Sequence, residues 1–293
     1  MQRTTPDRRL GLIMPPAFVV LWATGFIVAR LIAPYADPVT FLVLRCALAS
    51  AVMAAIAVVF RVGWPRTLLG WRDPLIAGAL LHGFYLSAVF WAVKQGMPAG
   101  IAALLAGLQP LLTALLSGPV LGERVSGPRW LGIMLGFAGA ALVIGGKLGG
   151  TMPYSIREVG VCFAGVLCVT AGTLWQKRTG HRIDLRTGTS IQYLGALMVM
   201  VPLATLTESG HIEPAPEFWI GLLWAVFGLS IGAVGLLLIL IRRGAVAGVA
   251  ALMYLVPPVS ALMGYALFGE TLGPVQISGM VLATIGVAIA SRG

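Results

Sequence analysis

Charged side chains are scarce in this chain: they make up 10% of its residues, whereas 58% are hydrophobic. The charges fall in short clusters, and between the clusters lie runs of roughly twenty largely apolar residues. A soluble domain is not built from such runs, because it would expose most of them to water. The composition therefore predicts an α-helical membrane protein.

Carboxylates are missing from the middle of every apolar run, since all ten Asp and Glu residues lie in predicted loops or at run ends. Proton-coupled pumps usually carry Asp or Glu inside the helix bundle, and a cation exporter needs a negative group to offset desolvation of its substrate. This absence disfavours a multidrug cation pump. It favours a zwitterionic or weakly polar metabolite moved down its gradient. Any proton coupling would have to use His82 or a glutamate at a helix end.

Cysteine and histidine are also rare, with three of each, and neither set has the spacing of metal ligands. An intramembrane enzyme would need a metal site, paired carboxylates or a Ser-His set, and the sequence offers none of these. We therefore expect no enzyme, no cofactor and no metal, and the cysteines are predicted to be packing residues. A channel remains open on composition, although charged rings and repeated filter loops are absent. The six residues are Cys46, Cys162, Cys168, His82, His181 and His211.

Ten apolar runs are long enough to cross a membrane as helices. Each approaches the ~20 residues that a rise of about 1.5 Å per residue requires to span about 30 Å of hydrocarbon. The fold class predicted is an all-α membrane protein with ten transmembrane helices. The runs are residues 11–32, 39–60, 75–94, 98–120, 128–146, 157–176, 188–207, 217–240, 245–268 and 274–291.

The chain repeats itself at an offset of about 147 residues. Residues 99–104 (AGIAAL) return as 247–252 (AGVAAL), and Gly122-Glu123 returns as Gly269-Glu270. The repeat predicts two five-helix halves, residues 1–147 and 148–293. Because five is odd, the second half enters the membrane from the opposite face, so the repeats are predicted to be inverted. Such repeats are typical of transporters whose substrate site lies between the halves.

The formal net charge of +10 is distributed unevenly between the two sides of the predicted membrane protein. Most Lys and Arg residues fall on the side that holds both termini, which predicts that both termini are cytoplasmic in a bacterial inner membrane. Nothing near the N-terminus has the pattern of a cleavable signal. The charge is thus explained by topology, and no nucleic-acid partner is expected. The expected partners are a small-molecule substrate and the lipid bilayer, with a monomer as the expected state.

Several of these features together resemble a known family. They are the ten helices in two halves, the early Trp22–Phe26 segment (WATGF), Arg45 in the second helix, and a Gly-Glu pair closing the fourth helix of each half. The chain resembles the EamA-type drug/metabolite transporter superfamily over essentially its whole length, and most closely the bacterial aromatic amino acid exporters. The second half departs from the first in having Gln192 where Arg45 would be repeated.

The resemblance implies a secondary transporter that exports amino acids, aromatic and other neutral ones, or related small metabolites by alternating access. Efflux of drugs or of other metabolites, such as nucleosides or sugar-like compounds, is the alternative within this class. A structural membrane subunit that transports nothing is the alternative from another class.

Prolines and glutamates at equivalent places in the two halves are candidates for gating. Pro110 and Pro257 lie near the middles of the fourth and ninth spans, and Glu123 and Glu270 end those spans on opposite faces. A proline inside a helix frees a carbonyl that lipid cannot satisfy. The prolines are either tolerated kinks or flexible points beside a cavity, and the glutamates are either gates or local ion-pair partners.

Helical spacing groups weakly polar and aromatic side chains around a predicted midplane cavity, a surface that suits a ligand with an apolar body. Each has a plain alternative, because a lone His can bond a neighbouring carbonyl and Thr or Ser can return its hydroxyl to the preceding turn. Arg45 could likewise hold an internal network or bind a substrate carboxylate. The candidate substrate-binding residues are Trp22, Thr24, His82, Tyr85, Gln109, Thr113, Thr170, Thr173, Ser230, Tyr254 and Pro258.

Overall fold

The computed structural model describes residues 5–121, 126–145, 154–179, 183–236, 240, 253 and 255–292, and no strand occurs within them. The prediction of an all-helical chain is thus confirmed for this part of the protein. The helices are α1 (Thr5–Ile32), α2 (Pro38–Val59), α3 (Leu68–Gly78), α4 (Tyr85–Lys94), α5 (Ala99–Ala106), α6 (Gln109–Leu121), α7 (Gly127–Gly145), α8 (Ile156–Thr179), α9 (Leu185–Thr207), α10 (Pro216–Leu223), α11 (Val256–Phe268) and α12 (Pro274–Arg292).

Six helical regions are long and apolar enough to cross a membrane, and four apolar helices are shorter. These ten regions coincide with the ten apolar runs of the sequence. That all ten cross the membrane, in two inverted halves, stays a prediction. The six are 13–32, 38–59, 68–94, 156–179, 185–207 and 216–236, and the four are 99–113, 130–142, 256–268 and 274–289.

Two segments join their neighbouring helices through π-helical turns, which the sequence did not predict. The first, π1 (Ala79–Phe84), connects α3 to α4, and the second, π2 (Trp224–Ala233), continues α10. They occupy equivalent positions in the two halves, since residues 79–84 correspond to 227–232 at the offset of 148. Single π-helical turns are rare and occur frequently at functional sites.

The helix ends form two faces of opposite charge. On the acidic face, the carboxylate of Glu208 accepts hydrogen bonds from the Val39 and Thr40 N–H groups at 2.8 and 2.7 Å, so the end of α9 caps the start of α2. On the basic face, Asp184 caps α9 by accepting from the Arg186 N–H at 2.9 Å. The acidic face holds the ends of α1, α4, α9 and α11, and the basic face the ends of α2 and α8.

Small residues bring two helix pairs into close contact. α7 and α12 cross where a methyl group on Gly139 would collide with the backbone of Gly279 and Ala283, and where one on Gly286 would collide with Gly132. α2 and α9 exchange hydrogen bonds between serines: the Ser50 hydroxyl donates to the Ser190 carbonyl at 3.0 Å, and the Ser190 hydroxyl donates to the Ser50 carbonyl at 3.1 Å. Close backbone contact and interhelical hydrogen bonds are the usual means by which helices associate in lipid, because the hydrophobic effect does not drive helices together there.

Candidate functional site

A cavity of about 460 Å³ runs from the basic face into the centre of the bundle. Its mouth lies among Asp73, Thr179, Ile183 and Asp184, at the basic-face ends of α3, α8 and α9. The α1, α2, π1, α4 and π2 segments supply the deeper walls. The cavity therefore lies between elements of both halves of the chain.

The blind end of the cavity is lined by Trp22, Phe26, Arg45, Val89 and Phe90. Arg45 lies seven residues from the start of α2, roughly 10 Å from the acidic-face end of that helix at 1.5 Å per residue. The lining there is aromatic and apolar except for the guanidinium.

Arg45 is the one strongly charged group among the deep lining residues that the structure describes. Its residue is 8% exposed, and its Nε donates a long hydrogen bond of 3.4 Å to the Ser230 hydroxyl oxygen. The Ser230 hydroxyl in turn donates to the Ala225 carbonyl at 2.9 Å, an i−5 bond within π2. The π-helical turn thus places Ser230 opposite α2.

His82 lies in π1 and faces α9 rather than its own neighbours in sequence. Its ring centroid is 5.0 Å from that of Tyr193, and the Gln192 side chain also interacts with the imidazole. Gln192 corresponds to Arg45 in the alignment of the two halves, and His82 corresponds to Ser230. The contacts of Arg45 with Ser230 and of Gln192 with His82 are therefore equivalent, each joining a second helix to the π segment of the other half.

Six of the candidate substrate-binding residues line the cavity, and two of them bond to each other. Gln109 donates from Nε2 to the Thr173 hydroxyl oxygen at 2.9 Å, and the Thr173 hydroxyl donates to the Val169 carbonyl at 2.8 Å. Six of the candidates, Trp22, His82, Tyr85, Gln109, Thr173 and Ser230, are joined in the lining by Arg45.

Three predicted threonines lie away from the lining, and their hydroxyls bond to their own helices. Thr170 is fully buried and donates to the Val166 carbonyl, and Thr113 donates to the Gln109 carbonyl. Thr24 donates to the Leu21 carbonyl and accepts from the Trp224 indole N–H. These are the back-bonded arrangements that hydroxyl side chains commonly adopt within helices.

The prolines occupy helix starts rather than the middles of continuous helices. The fourth span is divided, with α5 ending at Ala106 and α6 beginning at Gln109, so Pro110 lies in the first turn of α6. Pro257 and Pro258 likewise lie in the first turn of α11. No intrahelical hydrogen bond is lost there, because the first N–H groups of a helix have no carbonyl partner within the helix. None of the three lines the cavity; Tyr254 and Glu123 lie outside the described residues.

Glu270 belongs to the contacts that close the acidic face above the blind end. Its carboxylate accepts from the Ala99 N–H at 2.9 Å and lies 3.2 Å from Nε of Arg30. It therefore ties the loop after α11 to the end of α1 and the start of α5. Lys94 adds to this closure by donating to the carbonyls of Ala33 and Ala36.

Asp37 ties a second pair of loops together on the same face. Its carboxylate accepts from the Ser209 N–H and hydroxyl and from the His211 N–H at 2.9 Å. Partial burial raises the pKa of Asp37, but these hydrogen bonds and the charge of Lys94 outweigh it, so that the pKa lies below its ordinary value of 3.8. The carboxylate is thus stabilised in its ionised form.

Sequence reasoning missed several lining residues, among them Phe26, Phe90, Gln176 and Tyr193. Gln192 carried a signal, because it stands where the repeat places the counterpart of Arg45. Among the described residues, no group of three His, Cys, Asp or Glu side chains could hold a metal ion.

Comparison with known proteins identifies the family of the chain. The model of the EamA-like transporter family matches residues 9–145 and again residues 157–292. A probable amino-acid metabolite efflux pump of Salmonella typhimurium is 28% identical over 280 residues, covering 92% of this chain and 91% of that protein. The aromatic amino acid exporter YddG of Ancylobacter novellus is 30% identical over 212 residues, covering 70% of this chain and 68% of that protein.

A solved crystal structure superimposes with a TM-score of 0.66 at 22% identity and covers 95% of both chains, which shows a shared fold. The family model covers both halves and nearly the whole length of the sequence. The relatives named above are transporters rather than enzymes. The chain belongs to the EamA-like transporter family.

Proposed function

We propose that this protein is a secondary transporter of the bacterial inner membrane that exports aromatic and other neutral amino acids, or related small metabolites, by alternating access. Ten transmembrane helices form two inverted halves, residues 1–147 and 148–293, and both termini are cytoplasmic. In this orientation the basic face is cytoplasmic.

The observation that carries the proposal is a central cavity open at one face and closed at the other. The mouth at Asp73 and Asp184 admits a ligand from the basic face. Beyond the blind end, Glu270, Lys94 and Asp37 tie together the loops of the acidic face. A carrier loaded from the cytoplasm has this form before it switches to the outside.

Reciprocal contacts between the halves support the inverted repeat. Arg45 contacts Ser230 while its counterpart Gln192 contacts His82. On the far side of the bundle, Gly139 contacts Gly279 while Gly286 contacts Gly132, and these four glycines correspond at the offset of 147. A two-fold axis in the membrane plane relates contacts of this reciprocal type.

The lining supports a substrate with an aromatic or apolar body and a few hydrogen-bonding groups. Trp22, Tyr85 and Phe90 supply flat apolar surfaces, and the amides of Gln109, Gln176 and Gln192 supply donors and acceptors. The relatives named for amino-acid efflux carry the same implication. A multidrug cation pump remains the less favoured alternative, since no carboxylate lies deep in the described cavity.

Counterflow in proteoliposomes tests the proposal. Vesicles loaded with unlabelled phenylalanine should accumulate external labelled phenylalanine without an imposed pH gradient. Tyr85→Leu should reduce this exchange several-fold, because Tyr85 lines the cavity. Tyr265→Leu is the matched control, because Tyr265 is 60% exposed on α11 and lies outside the cavity.

Two results would contradict the proposal. One is the absence of exchange for any amino acid or related metabolite by protein that purifies normally, which would favour a structural subunit. The other is an equal loss of exchange in both tyrosine variants, which would show that the effect of Tyr85→Leu does not depend on the cavity.

A further inference from the structure

Among the residues that the structure describes, Arg45 is a buried cation without a counterion. It is 8% exposed, and among the described residues its only hydrogen-bond partner is the neutral Ser230 hydroxyl, at 3.4 Å. Its Nη nitrogens bond to no described residue. A charge this deep in a bundle is costly without a partner, so an anion beside Arg45 would stabilise it.

The described part of the bundle does not supply such an anion. Glu123 lies outside the described residues, and the other nine carboxylates lie in loops, at helix caps, in the first turn of a helix or, for Asp73, in the second turn of α3. The two that reach the cavity, Asp73 and Asp184, lie at its mouth, where each is paired with an adjacent arginine, Arg72 at 2.8 Å and Arg186 at 3.0 Å. Asp73 and His82 are nine residues apart, about 13 Å along the helix axis, so the mouth is well removed from the centre.

The same distribution leaves nothing to neutralise a substrate amine. The polar groups that line the cavity together with Arg45 include no carboxylate: they are the Ser230 hydroxyl, the Gln192 amide and the His82 ring. A primary ammonium group would find hydrogen-bond acceptors there but no opposite charge, and it would lie near a guanidinium. The described lining of the deep cavity is therefore electrostatically asymmetric, with one fixed positive charge and no fixed negative charge.

We infer that Arg45 binds the carboxylate of the substrate, and that the substrate class is carboxylates with an apolar or aromatic body, with or without an α-amino group. This inference rests on the proposed function, whose transported amino acids it describes as one member of a wider class of acids. The aromatic and apolar residues of the blind end, Trp22, Phe26 and Phe90, hold the body of the ligand beside the guanidinium.

Three ligands that share one aromatic body separate the contributions of the two charged groups. They are phenylalanine, 3-phenylpropanoate, which lacks the amine, and phenethylamine, which lacks the carboxylate. Competition against labelled phenylalanine is measured on purified protein in detergent, together with the shift of the melting temperature by each ligand alone. We expect 3-phenylpropanoate to bind at least as well as phenylalanine, and phenethylamine to bind at least about 30-fold more weakly.

Variants assign the effect to Arg45. Arg45→Gln should abolish the preference for the two carboxylates, and Arg45→Lys should keep it with weaker binding, because a lysine retains the charge but not the planar fork. Arg66→Gln is the matched control, since Arg66 lies exposed in the loop on the basic face. If Arg45→Gln does not fold, the comparison uses Arg45→Lys and the three-ligand series on the parent protein instead.

The inference would be overturned if phenethylamine bound as tightly as 3-phenylpropanoate. It would also be overturned if chloride displaced phenylalanine as effectively as 3-phenylpropanoate does. A carboxylate preference that survives intact in Arg45→Gln would overturn it too. Vesicle exchange of the same ligands is scored separately. Carboxylate-selective binding without exchange would refute the transport proposal but keep the carboxylate site. Exchange without a preference for carboxylates would keep the transport proposal but refute the carboxylate site.

Discussion

At the scale of single residues, the centre of the bundle is built from pairs whose members come from different halves of the chain. Arg45 and Ser230 are 185 positions apart in sequence, and His82 packs against Tyr193. Each pair joins a second helix to a π segment. A change at one member therefore alters how the two halves fit together as well as the surface that a substrate meets.

His82→Ala should lower exchange about tenfold or change its selectivity, because the ring contact with Tyr193 and the interaction with Gln192 would both be lost. His211→Ala is the control, because the His211 side chain is exposed on the acidic face. Vesicle counterflow with several amino acids measures both effects, and gel filtration checks folding. A His82→Ala protein that folds and transports every substrate at the parent's rate would contradict the role of His82 in the cavity.

Asp37 predicts a pH dependence of stability. Because its pKa in the folded protein is below its ordinary value of 3.8, the ionised carboxylate stabilises the folded state above that pH, and the stabilisation is lost as the pH falls through the lowered pKa. Asp37→Asn should therefore melt at a lower temperature than the parent at pH 7, and the difference should shrink below about pH 4. Thermal unfolding in detergent at several pH values measures this. A difference that is constant from pH 7 to pH 3 would be inconsistent with it.

At the scale of helices, two devices organise the bundle. The π segments set the rotation of the third helix of each half, and this brings His82 and Ser230 to face the opposite half. The glycine crossing of α7 and α12 instead allows the backbones to touch, which holds the last helices of the two halves together. One device shapes the cavity and the other joins the halves away from it.

Gly139→Ala should destabilise the protein, because the added methyl group would collide with the backbone of Gly279 and Ala283 and push α7 away from α12. Gly160→Ala is the matched control, since a methyl group on Gly160 of α8 meets no atom within 4 Å. Alanine also favours a helix over glycine by up to about 1 kcal/mol, so Gly160→Ala should be neutral or slightly stabilising. Melting temperatures in detergent compare the two. Equal melting temperatures would show that the crossing tolerates separation.

At the scale of the whole molecule, the contacts of the acidic face hold the cavity open toward the basic face only. Glu270 joins three elements through Arg30 and the Ala99 N–H. Lys94 and Asp37 fasten the neighbouring loops. In the proposed alternating-access cycle, switching to the opposite state requires these contacts to break together, so their combined strength would set the balance between the two states.

Glu270→Gln should shift that balance, because a glutamine can still accept from the Ala99 N–H but cannot pair with the charge of Arg30. We expect faster hydrogen exchange at the Ala99 amide and in residues 95–97. Glu213→Gln is the control, because the Glu213 side chain is exposed on the same face. Hydrogen exchange read by mass spectrometry measures this, and unchanged protection in Glu270→Gln would show that the ion pair does not hold the closed face.

The class of protein followed from the sequence alone, because the length of an apolar run, the spacing of a repeat and the position of charges are local or additive properties. The all-helical fold, the membership in a transporter family and half of the candidate site were predictable in this way. Trp22, His82, Tyr85, Gln109, Thr173 and Ser230 reached the lining. The repeat offset also pointed to Gln192.

Only the tertiary structure decided which face of each helix meets the cavity and which face of the protein is open. In a soluble protein the apolar stripe of a helix marks its buried side, but in a membrane both the lipid side and the packed side are apolar, so the periodicity carries little information. Thr170 and Thr113 illustrate this, since the sequence left open whether their hydroxyls face a cavity or turn back to their own helices, and in the structure they turn back. The π turns, the long pairing of Arg45 with Ser230 and the closure by Glu270 depend on contacts between the two halves, which exist only once the helices have packed.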